Sequence, residues 1–204
     1  MSRRARAWLL MAPVILVLGW LPAPAAVRET KGSEMNGTNP APATREAFFA
    51  GGCFWGVEYW LEKAPGVILV ESGYMGGGAD SPTYEQVSTG RTGHAETVRV
   101  VFDPAKTTYE AVARLFFEIH DPTEVDRQGP DVGKQYRSAV FYVGDEQRKV
   151  AEKLIAELTA RGYKVATRVE PAGKFWRAEE YHQRYYEHKG TTPYCHARVK
   201  RFGA

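Results

Sequence analysis

The chain has 204 residues, of which 44% are hydrophobic and 25% are charged, which is typical of one globular domain with a modest extension. This composition excludes a disordered or fibrous protein. The formal net charge is only +3 and includes the arginines of the first six residues, so charge gives no support to a nucleic-acid-binding function.

The first 26 residues have the pattern of a cleavable export signal. Arginines precede an apolar stretch from Ala7 to Leu21, and small residues follow at Ala23, Ala25 and Ala26. The stretch is shorter than the roughly 20 residues that a membrane-spanning helix needs, which favours cleavage near Ala25 or Ala26 over a membrane anchor. We therefore expect a periplasmic or secreted protein without a stable membrane anchor after signal cleavage.

Residues 27–44 are polar and lack apolar periodicity, so they predict a flexible linker before a catalytic domain over residues 45–204. Hydrophobic patterns in this domain predict strands within residues 46–52, 66–78, 94–104, 138–144 and 165–171. Helical patterns occur at residues 55–64, 107–122, 145–163 and 178–189. The mixed order predicts an α+β fold, a two-layer sandwich of the ferredoxin-like α/β plait type with a mainly antiparallel sheet, extended loops and an irregular C-terminal tail.

Cys53 follows Gly51 and Gly52 and precedes a predicted helix. Amide N–H groups and the positive end of the helix dipole favour a thiolate here, and the glycines leave the sulfur open to a substrate. The pattern therefore indicates a nucleophile with a lowered pKa. Two alternatives stay open: a small buried hydrophobe, or a structural disulfide with Cys195, although a domain of this size buries enough core without one.

Glu96 lies on the same face of an alternating strand as Val98, Val100 and Phe102. Its carboxyl is therefore expected to point into apolar surroundings, where loss of solvation raises its pKa and favours the proton-donating form. The alternative is a glutamate at the end of a strand that turns out to water.

Further candidates lie near these two residues in the sequence. A long polar loop contains Asp131 and Tyr136, and Tyr84 lies in the stretch that leads to Glu96. Phe54 and Trp55 are expected to wall a small apolar pocket at the start of the helix. The 5 histidines show no metal-ligand spacing and no CxxC is present, so no metal site is predicted.

Six stretches closely resemble, in the family's order, peptide methionine sulfoxide reductase of the A type: GCFWGVE, SGYMGG, TGHAETVRVVFDP, HDPT, RQGPDVGKQYRSAVFY and EEYHQRYY. The resemblance extends from about Ala47 to about His196, nearly the whole predicted domain. It implies reduction of the S epimer of methionine sulfoxide in proteins, and leaves open whether the free amino acid is also a substrate.

The resemblance implies a reaction in which Cys53 attacks the sulfoxide sulfur while Glu96 supplies a proton to its oxygen. Methionine leaves, and Cys53 becomes a sulfenic acid that a resolving thiol converts to a disulfide. Cys195 is the only other cysteine, so an external reductant has to attack the Cys53–Cys195 disulfide directly, without the extra recycling cysteine of some relatives. His196 is a candidate for favouring the thiolate of Cys195.

The remaining candidates are implied to bind the substrate. Phe54 and Trp55 would hold the methyl group on the substrate sulfur, Tyr84 and Tyr136 would assist the proton donor, and Asp131 would line the same site. No bound cofactor is expected, because a thioredoxin-like dithiol would supply the electrons. We expect a monomer whose partners are oxidised envelope or secreted proteins and this reductant.

Two other classes of function stay open at this stage. A cysteine hydrolase or transpeptidase of the cell envelope would use Cys53 with His94 or His182 as its base, although no papain-like signature is present. A non-catalytic binding module would hold Cys53 and Cys195 in a permanent disulfide, which would leave Glu96 and the tyrosines without a role.

Overall fold

The computed structural model describes residues 45–203. The predicted signal peptide (residues 1–26) and the predicted linker (residues 27–44) lie outside the described residues. Within residues 45–203, no helix is long and apolar enough to cross a membrane.

Most of the described strands form one sheet. The strands are β1 (Arg45–Gly51), β2 (Val67–Met75), β3 (Ala95–Phe102), β4 (Arg127–Gln128), β5 (Asp131–Val132), β6 (Ser138–Tyr142), β7 (Arg168–Pro171) and β8 (Trp176–Arg177). Six of them pair in the order β7-β6-β1-β3-β2-β8, and β4 and β5 form a separate hairpin. The pairing of β6 with β7 is parallel and the other pairings in the large sheet are antiparallel.

Helices cover one face of the sheet. They are α1 (Phe54–Leu61), α2 (Tyr84–Ser88), α3 (Tyr109–Ile119), α4 (Gly144–Ala160) and α5 (Tyr185–Lys189), with 3₁₀ turns at Lys134–Tyr136 and Glu180–His182. The predicted α+β class is confirmed. The sheet is mixed rather than antiparallel throughout, and the ferredoxin-like plait stays a prediction.

The middle strand β3 carries the alternation that the sequence predicts. Val98 and Val100 are fully buried, Phe102 is 1% exposed, and Glu96 on the same face is 2% exposed. β3 pairs with β2 along its whole length and with β1 from Val98 to Phe102, so backbone groups on both sides of this second half can be satisfied within the sheet. The apolar sides of α1, α3 and α4 pack on this face and form the main core.

The sequence predicts one continuous helix over residues 178–189, and this prediction is wrong. The chain forms a 3₁₀ turn and then the short α5, and Arg184 between them has a left-handed backbone with φ of 50°. Gln183 explains the break, because its side chain accepts the N–H of Ser72 at 2.9 Å and donates to the Ser72 carbonyl at 3.0 Å. The side chain of Gln183 thus pairs with a strand of the sheet.

Glu58 connects α1 to β2. Its side chain is 1% exposed, and its Oε2 accepts the Ser72 hydroxyl at 3.1 Å and the Arg184 N–H at 3.0 Å. Its Oε1 has no hydrogen-bond partner among the described residues. Burial, reinforced by the charge of Glu62, raises the pKa of Glu58 from 4.5 to about 8, so the folded protein holds it mostly as the neutral acid at neutral pH.

Replacing Glu58 by Gln is expected to change how stability depends on pH. The native state keeps this proton up to about pH 8, whereas the unfolded chain releases it near 4.5. The wild-type free energy of unfolding should therefore fall, relative to the Glu58→Gln variant, by about 1 kcal/mol per pH unit between these values. Urea unfolding at several pH values measures this difference.

The exposed Glu152→Gln substitution on α4 is the matched control and should leave the pH dependence unchanged. A stability difference between wild type and Glu58→Gln that stays constant with pH would contradict the neutral form of Glu58.

Candidate active site

Cys53 is the N-cap of α1, at the turn that leaves β1. Its carbonyl accepts the N–H of Gly56 at 3.1 Å, and its side chain is 8% exposed. Gly52 before it has a φ of +94°, and a Cβ there would meet the side chain of Gln128 at 2.5 Å. Only glycine fits this turn without strain. The order of strand, glycine, cysteine and helix that the sequence predicts is therefore observed, with the thiol at the start of α1.

The carboxyl of Glu96 lies at the same helix start. Its Oε2 accepts the backbone N–H of Phe54 at 3.1 Å. Loss of solvation raises the pKa of Glu96 to about 8; the Phe54 N–H opposes this shift and the charge of Asp131 reinforces it. The predicted burial of Glu96 is confirmed, and the alternative of a glutamate turned out to water is wrong. Its role as proton donor stays a prediction.

Cys53 and Cys195 are free thiols that lie side by side, with no disulfide between them. The hydrogen bond between the two groups, then burial, then the charge of Glu96 raise the pKa of Cys53 well above its usual range. The same interaction lowers the pKa of Cys195; burial opposes this shift and the hydrogen bond to His196 adds to it.

The predicted lowering of the Cys53 pKa is therefore wrong for the substrate-free protein. The amide of Trp55 at the helix start does act in the lowering direction, as the sequence suggested. Its effect is smaller than those of burial and of the negative charge on Cys195.

Tyr84, Tyr136 and Asp131 lie around the Glu96 carboxyl. Burial raises the pKa of both tyrosines, and the charge of Glu96 acts in the same direction on each, so both keep their hydroxyl protons. Asp131 accepts the Tyr194 hydroxyl on Oδ1 at 3.1 Å. Its Oδ2 is buried and has no partner within residues 45–203. The structure thus brings together the polar residues that the sequence singled out.

Phe54 and Trp55 form the first turn of α1 but differ in exposure. Phe54 is 1% exposed and packs on Tyr74 and His182, with ring centroids 5.9 and 5.0 Å away. Trp55 is half-buried and stacks on Tyr185 with 3.6 Å between centroids. Its indole N–H donates to Nδ1 of His182 at 2.9 Å. Phe54 therefore belongs to the core beneath the thiol, and Trp55 has a fixed orientation at the rim.

Glu179 and His182 support the site, and the sequence reasoning missed these roles. Glu179 accepts the Tyr74 hydroxyl at 2.8 Å and the backbone N–H of Tyr84 at 2.9 Å. Because Nδ1 of His182 accepts from Trp55, its neutral ring carries the proton on Nε2, which lies 3.9 Å from Glu179. The stretch EEYHQRYY contains both residues, but nothing in it shows which distant groups they contact.

The histidines that a hydrolase would need are not placed for that chemistry. Nδ1 of His182 is engaged by Trp55, and Nδ1 of His94 is buried with no partner among the described residues. Neither ring is hydrogen-bonded to Cys53 in this part of the chain. Within residues 45–203 there is also no group of three or more His, Cys, Asp or Glu side chains that would hold a metal ion.

Residues 45–203 match the family model described as Peptide methionine sulfoxide reductase. The chain is 45% identical over 188 residues to Peptide methionine sulfoxide reductase MsrA of Deinococcus radiodurans, covering 88% of this chain and 91% of the relative. It is similar to the crystal structure of reduced Mxr1 from Saccharomyces cerevisiae, with a TM-score of 0.72, 36% identity, and 76% and 92% of the two chains covered.

A second similar structure is that of Mxr1 in complex with Trx2, with a TM-score of 0.53, 27% identity, and 76% and 89% of the two chains covered. The family match spans every described residue, and the chain covers most of each of these relatives. The chain therefore belongs to the peptide methionine sulfoxide reductase family, in its A type, and has peptide-methionine (S)-S-oxide reductase activity.

Proposed function

We propose that the enzyme reduces methionine sulfoxide through a sulfenic acid on Cys53 and a Cys53–Cys195 disulfide. The observation that carries this proposal is the carboxyl of Glu96, buried in its neutral form at the start of α1 and close to the Cys53 thiol. The sulfur of a sulfoxide becomes a far better electrophile once its oxygen is protonated, and a neutral carboxyl can supply that proton at neutral pH.

In the first step the sulfur of Cys53 attacks the substrate sulfur while Glu96 protonates the sulfoxide oxygen. The hydroxyls of Tyr84 and Tyr136 donate hydrogen bonds to that oxygen. Trp55 at the rim holds the substrate methyl group, and Phe54 packs beneath the thiol. The sulfur–sulfur bond formed by this attack and the bond between oxygen and the methionine sulfur both break as oxygen passes to Cys53, and the Cys53 thiol proton returns to Glu96. The two-electron reduction of the sulfoxide is balanced by oxidation of Cys53 to sulfenic acid.

In the second step Cys195 condenses with the sulfenic acid and water leaves. A thioredoxin-like dithiol then reduces the Cys53–Cys195 disulfide, a proposal that the Mxr1–Trx2 complex supports. The scheme requires no bound cofactor. All the side chains that it uses come from one chain, so we propose that a monomer is active on oxidised proteins.

We also propose that the enzyme acts in the periplasm or after secretion, where it repairs oxidised envelope or secreted proteins. The support is the arginine, apolar and small-residue order of residues 1–26, which lie outside the described part of the chain. In such a compartment the reducing equivalents would have to be delivered across a membrane to the dithiol partner.

The full chain with dithiothreitol is expected to reduce the S epimer of a peptide methionine sulfoxide and to leave the R epimer unchanged. Cys53→Ser should abolish turnover, because no other described thiol occupies the site of attack. Cys195→Ser should retain turnover with dithiothreitol, which reduces the sulfenic acid itself, and lose it with thioredoxin. Chromatography of the separate epimers measures each rate, and turnover of the R epimer or by Cys53→Ser would contradict the scheme.

The methionine-forming step is expected to slow as the pH rises through about 8, because Glu96 loses the proton that it must donate. Glu96→Gln should lower the rate of this step by about 10²- to 10⁴-fold and remove its decline at high pH. Single-turnover methionine yields across this range measure both effects. Glu152→Gln is the control, and a Glu96→Gln variant with the wild-type rate would show that another group supplies the proton.

A further inference from the structure

The ring of His196 is fixed against the turn that carries Cys53. It is 4% exposed, and its Nε2 lies 2.7 Å from the carbonyl oxygen of Gly51. A Cβ on Gly56 would overlap the imidazole, and a Cβ on Gly52 would lie 3.3 Å from its Cε1. The carbonyl of His196 accepts the indole N–H of Trp60 at 3.3 Å. The glycines of this turn therefore leave the space that the ring occupies.

The hydrogen bonds of His196 determine which of its nitrogens carries a proton. A backbone carbonyl can only accept, so Nε2 must be the protonated nitrogen that donates to Gly51. Nδ1 lies 3.0 Å from the sulfur of Cys195 and, in the neutral ring, is an acceptor directed at its thiol proton. If Nδ1 takes this proton, both N–H groups of the imidazolium keep a partner, Gly51 and the Cys195 thiolate.

We propose that His196 is the general base for the resolving thiol: its Nδ1 takes the proton of Cys195 and so prepares that sulfur to attack the sulfenic acid on Cys53. This inference rests on the proposed function, which supplies the sulfenic acid. The sulfur of Cys195 bonds to that of Cys53, and the S–O bond breaks. The imidazolium proton goes to the departing hydroxyl, which leaves as water. The sulfur of Cys195 is oxidised by one electron and the sulfenic sulfur of Cys53 is reduced by one electron, so both end at the level of the disulfide.

The groups around this pair do not replace the imidazole. The titratable side chains that influence Cys195 or His196 come from five different elements and the tail: Cys53, Glu96, His120, Asp131, Tyr186 and Tyr194. Burial lowers the pKa of His120 to about 3 and raises that of Tyr186 to about 12, so neither takes up a proton from a thiol near neutral pH. The charge of Asp131 opposes the thiolate of Cys195.

His196 is the group that can hold the thiolate once Cys53 has reacted. Before the reaction, the hydrogen bond from Cys53 is the main cause of the lowered pKa of Cys195. Oxidation converts Cys53 into the electrophile, and its thiol proton is no longer available. Among the described residues, the hydrogen bond and the charge of His196 are then what still lowers the pKa of Cys195.

The test is a single turnover of the full, reduced chain with excess S-sulfoxide peptide and no added reductant. Methionine is measured by chromatography, and the sulfenic acid and the disulfide are measured by mass spectrometry after acid quench and trapping. His196→Gln keeps a donor for Gly51, and His196→Asn keeps an acceptor near Cys195, but neither amide takes up a proton. His188→Gln, on the exposed side of α5, is the matched control.

At about pH 7, both His196 variants should form methionine at close to the wild-type rate. They should form the disulfide at least about tenfold more slowly, because an ordinary thiol is only a few per cent ionised at this pH. Sulfenic acid should accumulate. Raising the pH to about 9 should restore the disulfide rate of the variants, whereas the wild-type rate should be flat above about pH 7. His188→Gln should match wild type throughout.

Each contrary result separates the inference from the proposed function. The general-base role is overturned if the His196 variants form the disulfide at the wild-type rate with the wild-type pH profile. It is also overturned if their slow disulfide formation does not recover at high pH. In both cases, formation of one methionine per chain would still support the proposed function. A wild-type disulfide rate that climbs steadily through pH 8 overturns the role without any variant. If the wild-type chain forms no methionine, the proposed function itself fails.

Discussion

The hydrogen bond from the Phe54 N–H to the Glu96 carboxyl is the contact on which the active site depends. It joins groups 42 residues apart, and it fixes the first turn of α1 over the middle strand of the sheet. Because Glu96 is paired with Tyr74 of β2, and β3 is paired on both sides from Val98 onward, the carboxyl is held by the sheet, and the helix start that carries Cys53 is positioned relative to it. A carboxylate so buried is costly, which is why the group is held as an acid rather than as an ion.

The C-terminal segment has no helix or strand after α5, as the sequence predicts, but it is anchored on both sides of Cys195. Tyr194 donates to Asp131 on one side. On the other, Arg201 donates to the carbonyls of Phe117 and Glu118 at 3.0 and 3.1 Å, at the end of α3. These backbone acceptors have no partner within the helix, so the tail completes α3. The resolving thiol is thereby kept next to Cys53 without regular structure around it.

Local patterns predict the elements and the two central residues because both follow from periodicity and turn chemistry. The alternation of β3 places Glu96 in the core, and the glycines before Cys53 mark its turn. The break at Arg184 depends on a side chain that pairs with Ser72, more than 100 residues away, and no periodicity encodes it. The pKa of Cys53 was mispredicted for the same reason, since its dominant cause is Cys195, from the far end of the chain.

The charge on the thiol pair explains why the chain contains two chemically different cysteines. Burial and the charge of Glu96 raise the pKa of Cys53, which is the more buried of the two thiols. The hydrogen bond to His196 acts on Cys195 in the opposite direction. In the proposed scheme the first step converts Cys53 into a sulfenic acid, so Cys195 then has a base on one side and an electrophile on the other. The order of the two half-reactions therefore follows from the oxidation of Cys53, because Cys195 has nothing to attack before it.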